Sequence, residues 1–147
     1  MNRHAFRLTQ KMGFEYASDT RGFCPFVPVQ NAEIIACPQL PTTLPTLDEL
    51  LGIEEDAVSH LLKLSENPQP TGHVYTLHAE LEGMKLIGLF EKLLQGWKSM
   101  GYEFVSLKDY YESLMHGKLP LHRIVYEEIP GRAGKLAMQG GQFLARD

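Results

Sequence analysis

Residues 84–105 read MKLIGLFEKLLQGWKSMGYEFV, and this stretch decides the fold. Apolar residues recur there at i, i+3, i+4 and i+7 while Glu, Lys and Gln face away, so the sequence predicts an amphipathic helix over residues 84–100. Gly101 supplies the left-handed residue that ends such a helix. The aromatic run 102–105 follows at once and predicts a strand. A helix turned directly into a strand is the second half of a β/α repeat.

The same phrase occurs near the N-terminus, where MGFEY at 12–16 parallels MGYEF at 100–104. The pattern predicts a helix over 3–12, a stop at Gly13 and a short strand over 14–18. Two copies of one arrangement indicate a chain built from repeated β/α units.

The remaining segments continue this alternation of helices and strands. They predict, in chain order, a Pro-rich loop over 22–45 with a short strand at 33–36, a capping box at 46–49 that opens a helix to Leu51, a helix over 54–65, a strand over 74–78, a helix from Ser106 to about Met115, and short strands or irregular structure over 122–129 and 135–138. The long Pro-rich loop is either a lid or binding loop, or a plain surface crossover.

This order of elements needs right-handed crossovers and a parallel sheet. The parallel strands that can be counted are fewer than the roughly eight of a closed barrel. We therefore predict an α/β fold of the partial (β/α) barrel type, with an incomplete sheet and helices outside, as a single domain over residues 1–147.

Composition excludes several classes of protein. With 147 residues, 44% of them apolar, the chain suits one compact domain and is too short for two large cores. A net charge of −4 and scattered basic residues argue against nucleic-acid binding. Residues 1–7 are not followed by the apolar run of a signal peptide, and no stretch reaches the about 20 apolar residues of a membrane span. Cys24 and Cys37 allow a bridge, but free thiols are favoured.

Candidate reactive groups follow the predicted strands, because parallel α/β folds collect such groups at the carboxyl ends of strands. Asp19 and Arg21 follow the first strand and form either an orienting ion pair or a structural turn. His78 closes the strand over 74–78 and is suited to acid or base work near neutral pH, although a His on a buried strand is as often a core residue. Ser106 ends the third strand.

A metal site can be tested by ligand spacing. His73 and His78 are five apart, which sends them to opposite faces of a strand, and His116 and His122 are separated by a Gly and Pro break. The chain contains no Asp-Asp pair, no His-x-x-x-His, no Cys-x-x-Cys, no Gly-x-Ser-x-Gly and no P-loop. We therefore expect no metal site formed by this chain alone.

Three segments in register resemble the polysaccharide deacetylase (NodB-like) superfamily, and within it the formamido-arabinose-phosphoundecaprenol deformylase branch. They are FEYASDTRG at 14–22, PTTLPTLDE at 41–49 and VYTLHAELEG at 74–83. The resemblance extends to about residue 130 and covers the C-terminal half of the family's domain. It implies a distorted (β/α) barrel that removes the N-acyl group of an amino sugar, including one carried on a lipid. A role in lipid A modification, in the cytoplasm or at the periphery of the inner membrane, is also implied.

The resemblance also assigns roles to residues. In the family a divalent metal (zinc, cobalt or manganese) is held by one Asp and two His, a second Asp acts as base, and a late His acts as acid. His78 matches that late His. The positions that match the pocket wall and its supports are Ser18, Asp19, Thr20, Arg21, Glu80 and Glu82. The metal ligands and the base precede the matched segments, so the chain alone is expected to be inactive.

Two hypotheses from different classes follow. In the first, the chain is part of an N-deacylase and needs a complementing chain for activity. In the second, it is a non-catalytic carbohydrate-binding or assembly module that self-associates through the open edge of its sheet.

Overall fold

The computed structural model describes residues 3–114 and 119–144. Its elements are α1 (Arg3–Lys11), β1 (Val27–Gln30), β2 (Glu33–Ile34), α2 (Leu47–Leu50), α3 (Ala57–Leu64), a π-helical turn (Leu81–Lys85), α4 (Ile87–Ser99), α5 (Leu107–Ser113), β3 (Leu121–Glu128) and β4 (Lys135–Gln142). The fold is mixed α/β, as expected, with one four-stranded sheet.

The sheet is mixed rather than parallel. Its strand order is β2-β1-β3-β4, and only the β1–β3 pair is parallel, in a register that sets Pro28 beside His122. The pairs β1–β2 and β3–β4 are antiparallel hairpins. Helices α2 to α5 all lie in the long crossover between β1 and β3. The strand order observed here does not establish a barrel.

Three predicted strands are wrong. Residues 14–18 form only a single bridge, from Ala17 to Gln39. Residues 74–78 and 102–105 have no regular secondary structure and belong to no ladder. A strand needs a partner at regular hydrogen-bonding distance, and residues 74–78 gain only isolated contacts such as Thr43 N–H to the Val74 carbonyl at 2.9 Å. The regular ladders form instead at β1, which lies inside the segment 22–45 predicted as a Pro-rich loop, and in the C-terminal hairpin, which the sequence left open between short strands and irregular structure.

The helix predictions are confirmed with small shifts of their ends. Helix α1 ends before Gly13, whose φ of 74° is the left-handed conformation expected there. The predicted helix over 84–100 is α4, preceded by the π-helical turn. Helix α3 begins after Asp56, whose carboxylate accepts the Ser59 N–H at 3.0 Å. The predicted end of α5 at Met115 lies outside the described residues.

Apolar side chains of the described residues form two clusters, one among the helices and one against the sheet. The larger joins α2, α3 and α4 and consists of Leu44, Leu47, Leu50, Ala57, Val58, Leu61, Leu86, Leu93 and Trp97. The smaller lies against the sheet and consists of Phe6, Ile35, Cys37 and Ala137. Helix α2 therefore belongs to the helical layer, and its polar residues face the segments that carry the candidate site. Within the described residues, no helix is both long and apolar enough to cross a membrane.

Candidate active site

Helix α2 stands at the centre of the candidate site. The sequence 46–49 was predicted to cap this helix, and the Glu49 carboxylate does accept the Thr46 N–H at 3.1 Å. Two consecutive residues of the helix then face different partners, Asp48 toward His78 and Glu49 toward Arg21. Because one rigid turn carries both carboxylates, it fixes the two predicted parts of the site relative to each other.

His78 faces the carboxylate of Asp48. Its Nδ1 lies 3.4 Å from Asp48 Oδ1. Both atoms are buried, and neither has a hydrogen-bond partner among the described residues. A carboxylate beside Nδ1 favours the tautomer with its proton on that atom. Nε2 is then the atom free for proton transfer.

The backbone of His78 is held by a second, fully buried carboxylate. Glu82, only 1% exposed, accepts the His78 N–H at 2.9 Å and the Tyr75 hydroxyl at 3.1 Å. That hydroxyl in turn accepts the N–H of Leu47, the first residue of α2, at 3.2 Å. Burial raises the pKa of Tyr75 far above its ordinary value of 10.0, so the hydroxyl keeps its proton and donates a hydrogen bond to Glu82.

Arg21 pairs with Glu49. The Glu49 carboxylate is 2% exposed and accepts hydrogen bonds from Arg21 and, at 2.9 Å, from Arg132. Arg21 also donates to the Leu44 carbonyl at 3.1 Å. Asp19, which the sequence offered as the partner of Arg21, is instead exposed, and its N–H donates to Gln39 Oε1 at 2.9 Å.

The other predicted residues differ in their access to a substrate. Ser18 donates to the Leu40 carbonyl at 2.7 Å. Thr20 is buried and lies 3.4 Å from Gln39 Oε1, so it supports the turn rather than facing solvent. Glu80 is exposed, whereas Glu82 is buried. Of the two acidic residues after His78, only Glu80 is open to a ligand.

A chain of backbone and hydroxyl contacts connects Arg21 with the His78 segment. Arg21 forms a parallel bridge with Thr42, and the Thr42 and Thr76 hydroxyl oxygens are 2.7 Å apart. Thr76 precedes His78 by two residues in the same segment. The two predicted parts of the site therefore follow one rim, joined by Thr42 and by α2.

Two cavities border this rim. One of about 520 Å³ lies beside Arg21 and Glu49, with Phe23, Thr42 and Gln139 among its walls. The other, about 360 Å³, lies between α4 and the extended segments and is mainly apolar. His78 lines neither cavity. The first is the better candidate pocket, because Arg21, a predicted site residue, lines it together with its partner Glu49.

The described residues do not provide a metal centre. Across residues 3–114 and 119–144, no group of three or more His, Cys, Asp or Glu side chains is arranged to hold a metal ion. Both cysteines are free thiols, with Cys24 partly exposed and Cys37 buried. The carboxylates nearest to His78 and Arg21 are already engaged with those cationic or titratable side chains.

Sequence reasoning missed four residues of this arrangement. Asp48 and Glu49 were read only as part of a helix cap, Tyr75 as part of a strand, and Arg132 as part of an irregular tail. The signal for the first two was available, because two acids in a capping box need not both serve the cap. The roles of Tyr75 and Arg132 depend on contacts across 28 and 83 residues of sequence, which no local pattern reveals.

No family model matches the chain. It is 40% identical over 138 residues to a probable 4-deoxy-4-formamido-L-arabinose-phosphoundecaprenol deformylase of Shewanella sediminis, covering 91% of this chain and 43% of that protein. It is 37% identical over 142 residues to a protein of the same description from Wigglesworthia glossinidia brevipalpis, covering 94% of this chain and 49% of that one. The chain thus spans about half the length of the curated relatives it matches. The resemblance to this deformylase branch is confirmed.

Proposed function

We propose that this chain, a relative of the formamido-arabinose-phosphoundecaprenol deformylases, supplies the general acid of a hydrolase that cleaves the amide C–N bond of an N-acylated amino sugar. The sequence similarity over more than nine-tenths of the chain supports the reaction class. The observation that carries the residue assignment is the His78 imidazole facing Asp48 at 3.4 Å.

The role of His78 follows from the chemistry of amide hydrolysis. Water adds to the acyl carbon, the C–N bond breaks, and the departing nitrogen needs a proton to leave as an amine. The Nε2 of a protonated His78 donates that proton, while Asp48 stabilises the imidazolium from the other side of the ring. The products are the free amino sugar and formate, or acetate from an acetylated substrate.

Arg21 and its neighbours form the proposed substrate wall. Arg21 lies at the cavity of about 520 Å³ and is held in place by Glu49 and the Leu44 carbonyl. Exposed Asp19 and Glu80 offer acceptors for sugar hydroxyls. The relatives' names specify a sugar carried on phosphoundecaprenol, and we propose a lipid-linked amino sugar as substrate, met in the cytoplasm or at the periphery of the inner membrane.

A divalent metal, which the resemblance implies, does not fit the described residues, since they present no three-ligand cluster. When bound, such a metal supplies an activated water as nucleophile. We propose that its ligands and the base come from a complementing chain, and that this chain alone is inactive.

Complementation tests this proposal. The purified chain alone is expected neither to retain stoichiometric zinc, cobalt or manganese nor to release formate from a formamido sugar. Mixed or co-expressed with the part of the Shewanella sediminis relative that it does not match, it should release formate. His78→Gln should lower that rate about 100-fold, the usual loss for a general acid.

The matched control is Glu91→Gln, a change at an exposed residue of α4 that lines neither cavity, which should leave the rate unchanged. Formate release by the chain alone would overturn the proposed dependence on a second chain. An unchanged rate for His78→Gln would overturn the assignment of the acid.

Exposed apolar residues favour a second candidate function, that of a self-associating binding or assembly module. Leu77, Phe104 and Val105 are about half exposed, at 47%, 52% and 57%, on extended segments that belong to no strand ladder. Such segments invite pairing with another chain. Sedimentation velocity over a concentration series should then show a dimer, and a monomer at every concentration would count against this function.

A further inference from the structure

We infer that Glu82, acting with Tyr75, is a positioning residue that fixes His78 against Asp48. The inference rests on the proposed function, in which His78 is the acid. Glu82 itself is 1% exposed and therefore does not contact a substrate. Its effect is on the placement of the imidazole.

Two hydrogen bonds account for the burial of the Glu82 carboxylate. A carboxylate removed from water is costly unless donors satisfy both of its oxygens. Oε2 accepts the His78 N–H at 2.9 Å, and Oε1 accepts the Tyr75 hydroxyl at 3.1 Å. Each oxygen therefore has a protein donor, and each donor belongs to the segment that carries His78.

The backbone closes the arrangement around His78. The N–H groups of Leu81 and Glu82 donate to the His78 carbonyl at 2.8 and 2.9 Å, at the start of the π-helical turn. The N–H of His78 meanwhile donates to the Glu82 side chain. Both polar groups of the His78 backbone are thus engaged by one residue. π-Helical turns are rare and are frequently found at functional sites.

Tyr75 connects these hydrogen bonds around His78 to α2, the helix that carries Asp48. Its hydroxyl accepts the N–H of Leu47, the residue before Asp48, at 3.2 Å while donating to Glu82. The path Leu47–Tyr75–Glu82–His78 therefore runs alongside the direct contact of Asp48 with His78 Nδ1. Since the direct contact is not a full hydrogen bond, the indirect path must hold the two groups together.

The test observes the His78 ring in the 147-residue chain by ¹⁵N-detected NMR, with His78→Gln used to assign its signals. In the unaltered chain, neutral His78 should carry its proton on Nδ1, because that atom faces Asp48. Glu82→Ala should shift the ring toward the Nε2–H tautomer and speed hydrogen exchange of the His78 amide at least about 10-fold. Glu82→Gln should partly restore both, since its amide oxygen can still accept the His78 N–H. The matched control, Glu91→Ala, should change neither.

A folded Glu82→Ala variant with unchanged tautomer and unchanged amide exchange would overturn the inference. If that variant does not fold, Tyr75→Phe decides, because it removes the two hydrogen bonds of the Tyr75 hydroxyl and keeps the Glu82–His78 contact. Tyr75→Phe should shift the tautomer in the same direction, and an unchanged tautomer in this variant would also overturn the inference.

This outcome is separable from the proposed function. A tautomer that responds to Glu82 while His78→Gln keeps full formate release would retain the positioning and reject the acid. A tautomer that does not respond to Glu82, together with a loss of formate release in His78→Gln, would retain His78 as the acid and reject the positioning role of Glu82.

Discussion

Glu49 and Glu82 show at the residue scale how this chain uses buried carboxylates. Both are at most 2% exposed. Glu49 joins segments distant in sequence, whereas Glu82 binds Tyr75 and His78, which lie seven and four residues before it. Glu49 has two guanidinium partners and a backbone donor, whereas Glu82 has only neutral donors. The first holds the wall of the cavity, and the second holds the segment that carries the imidazole. The burial of an acidic residue in this chain therefore indicates its role as clearly as its charge does.

Replacement of Glu49 by alanine is expected to lower the free energy of unfolding by about 3 kcal/mol, because it leaves the Arg21 guanidinium, 15% exposed, without its carboxylate. Urea denaturation measures this value. Glu112→Ala, in the exposed pair with Lys108, is the matched control and should cost no more than about 0.5 kcal/mol. Equal losses in the two variants would show that the buried network adds nothing.

At the scale of secondary-structure elements, the clearest sequence signals are those that end the helices. Gly13 and Gly101 have φ of 74° and 88° directly after α1 and α4, as the repeated phrase at 12–16 and 100–104 indicated. The helix-to-turn half of that phrase was predictable, because a glycine in the left-handed conformation is a local signal. The strand half was not. Whether an apolar segment becomes a strand depends on a neighbour at the correct distance, and neither copy has one.

Gly88, inside α4, and Gly101, just after its end, should respond in opposite ways to replacement by alanine. Gly101→Ala is expected to destabilise the chain by about 1 kcal/mol, since alanine resists the left-handed conformation. Gly88→Ala, inside α4 with open space around the added carbon, should stabilise it by about 0.5–1 kcal/mol. Thermal unfolding of both variants provides the measurement, and a loss of stability for Gly88→Ala would contradict the assigned helix.

At the scale of the described chain, the helices around the larger apolar cluster form one layer and the sheet with the smaller cluster forms the other. The two layers meet where α2, the Thr42–Arg21 bridge and residues 73–78 come together. His73 lies at this meeting point, with Nδ1 3.1 Å from the Thr43 hydroxyl and its ring 6.1 Å from that of Tyr102. Burial lowers the pKa of His73 below its ordinary 6.5, and the backbone of Asn67 opposes part of the shift. The stability of the whole chain is therefore linked to the protonation of this residue.

The sign of that linkage makes a prediction about pH. As pH falls through about 6.5, the unfolded chain binds a proton at His73 and the folded chain does not, so stability is lost on going from neutral to mildly acidic pH. In His73→Phe this loss should be smaller, because the other histidines contribute equally to both proteins. Denaturant titrations at about pH 7.5 and about pH 5.5 compare the two slopes. An identical slope would show that His73 is not the group responsible.

The helices, their glycine stops, the α/β class and the deformylase relationship could all be predicted from the sequence, because these depend on local periodicity, on single-residue conformational preferences or on matched residues. The sequence also singled out His78 and Arg21. Tertiary packing set the mixed sheet, the pairing of Arg21 with Glu49 and of His78 with Asp48, and the contact between Tyr75 and Leu47. Strand pairing and the neutralisation of buried charge are settled between residues far apart in sequence, at the moment when layers pack and water is excluded, and no local pattern encodes which distant group will be there.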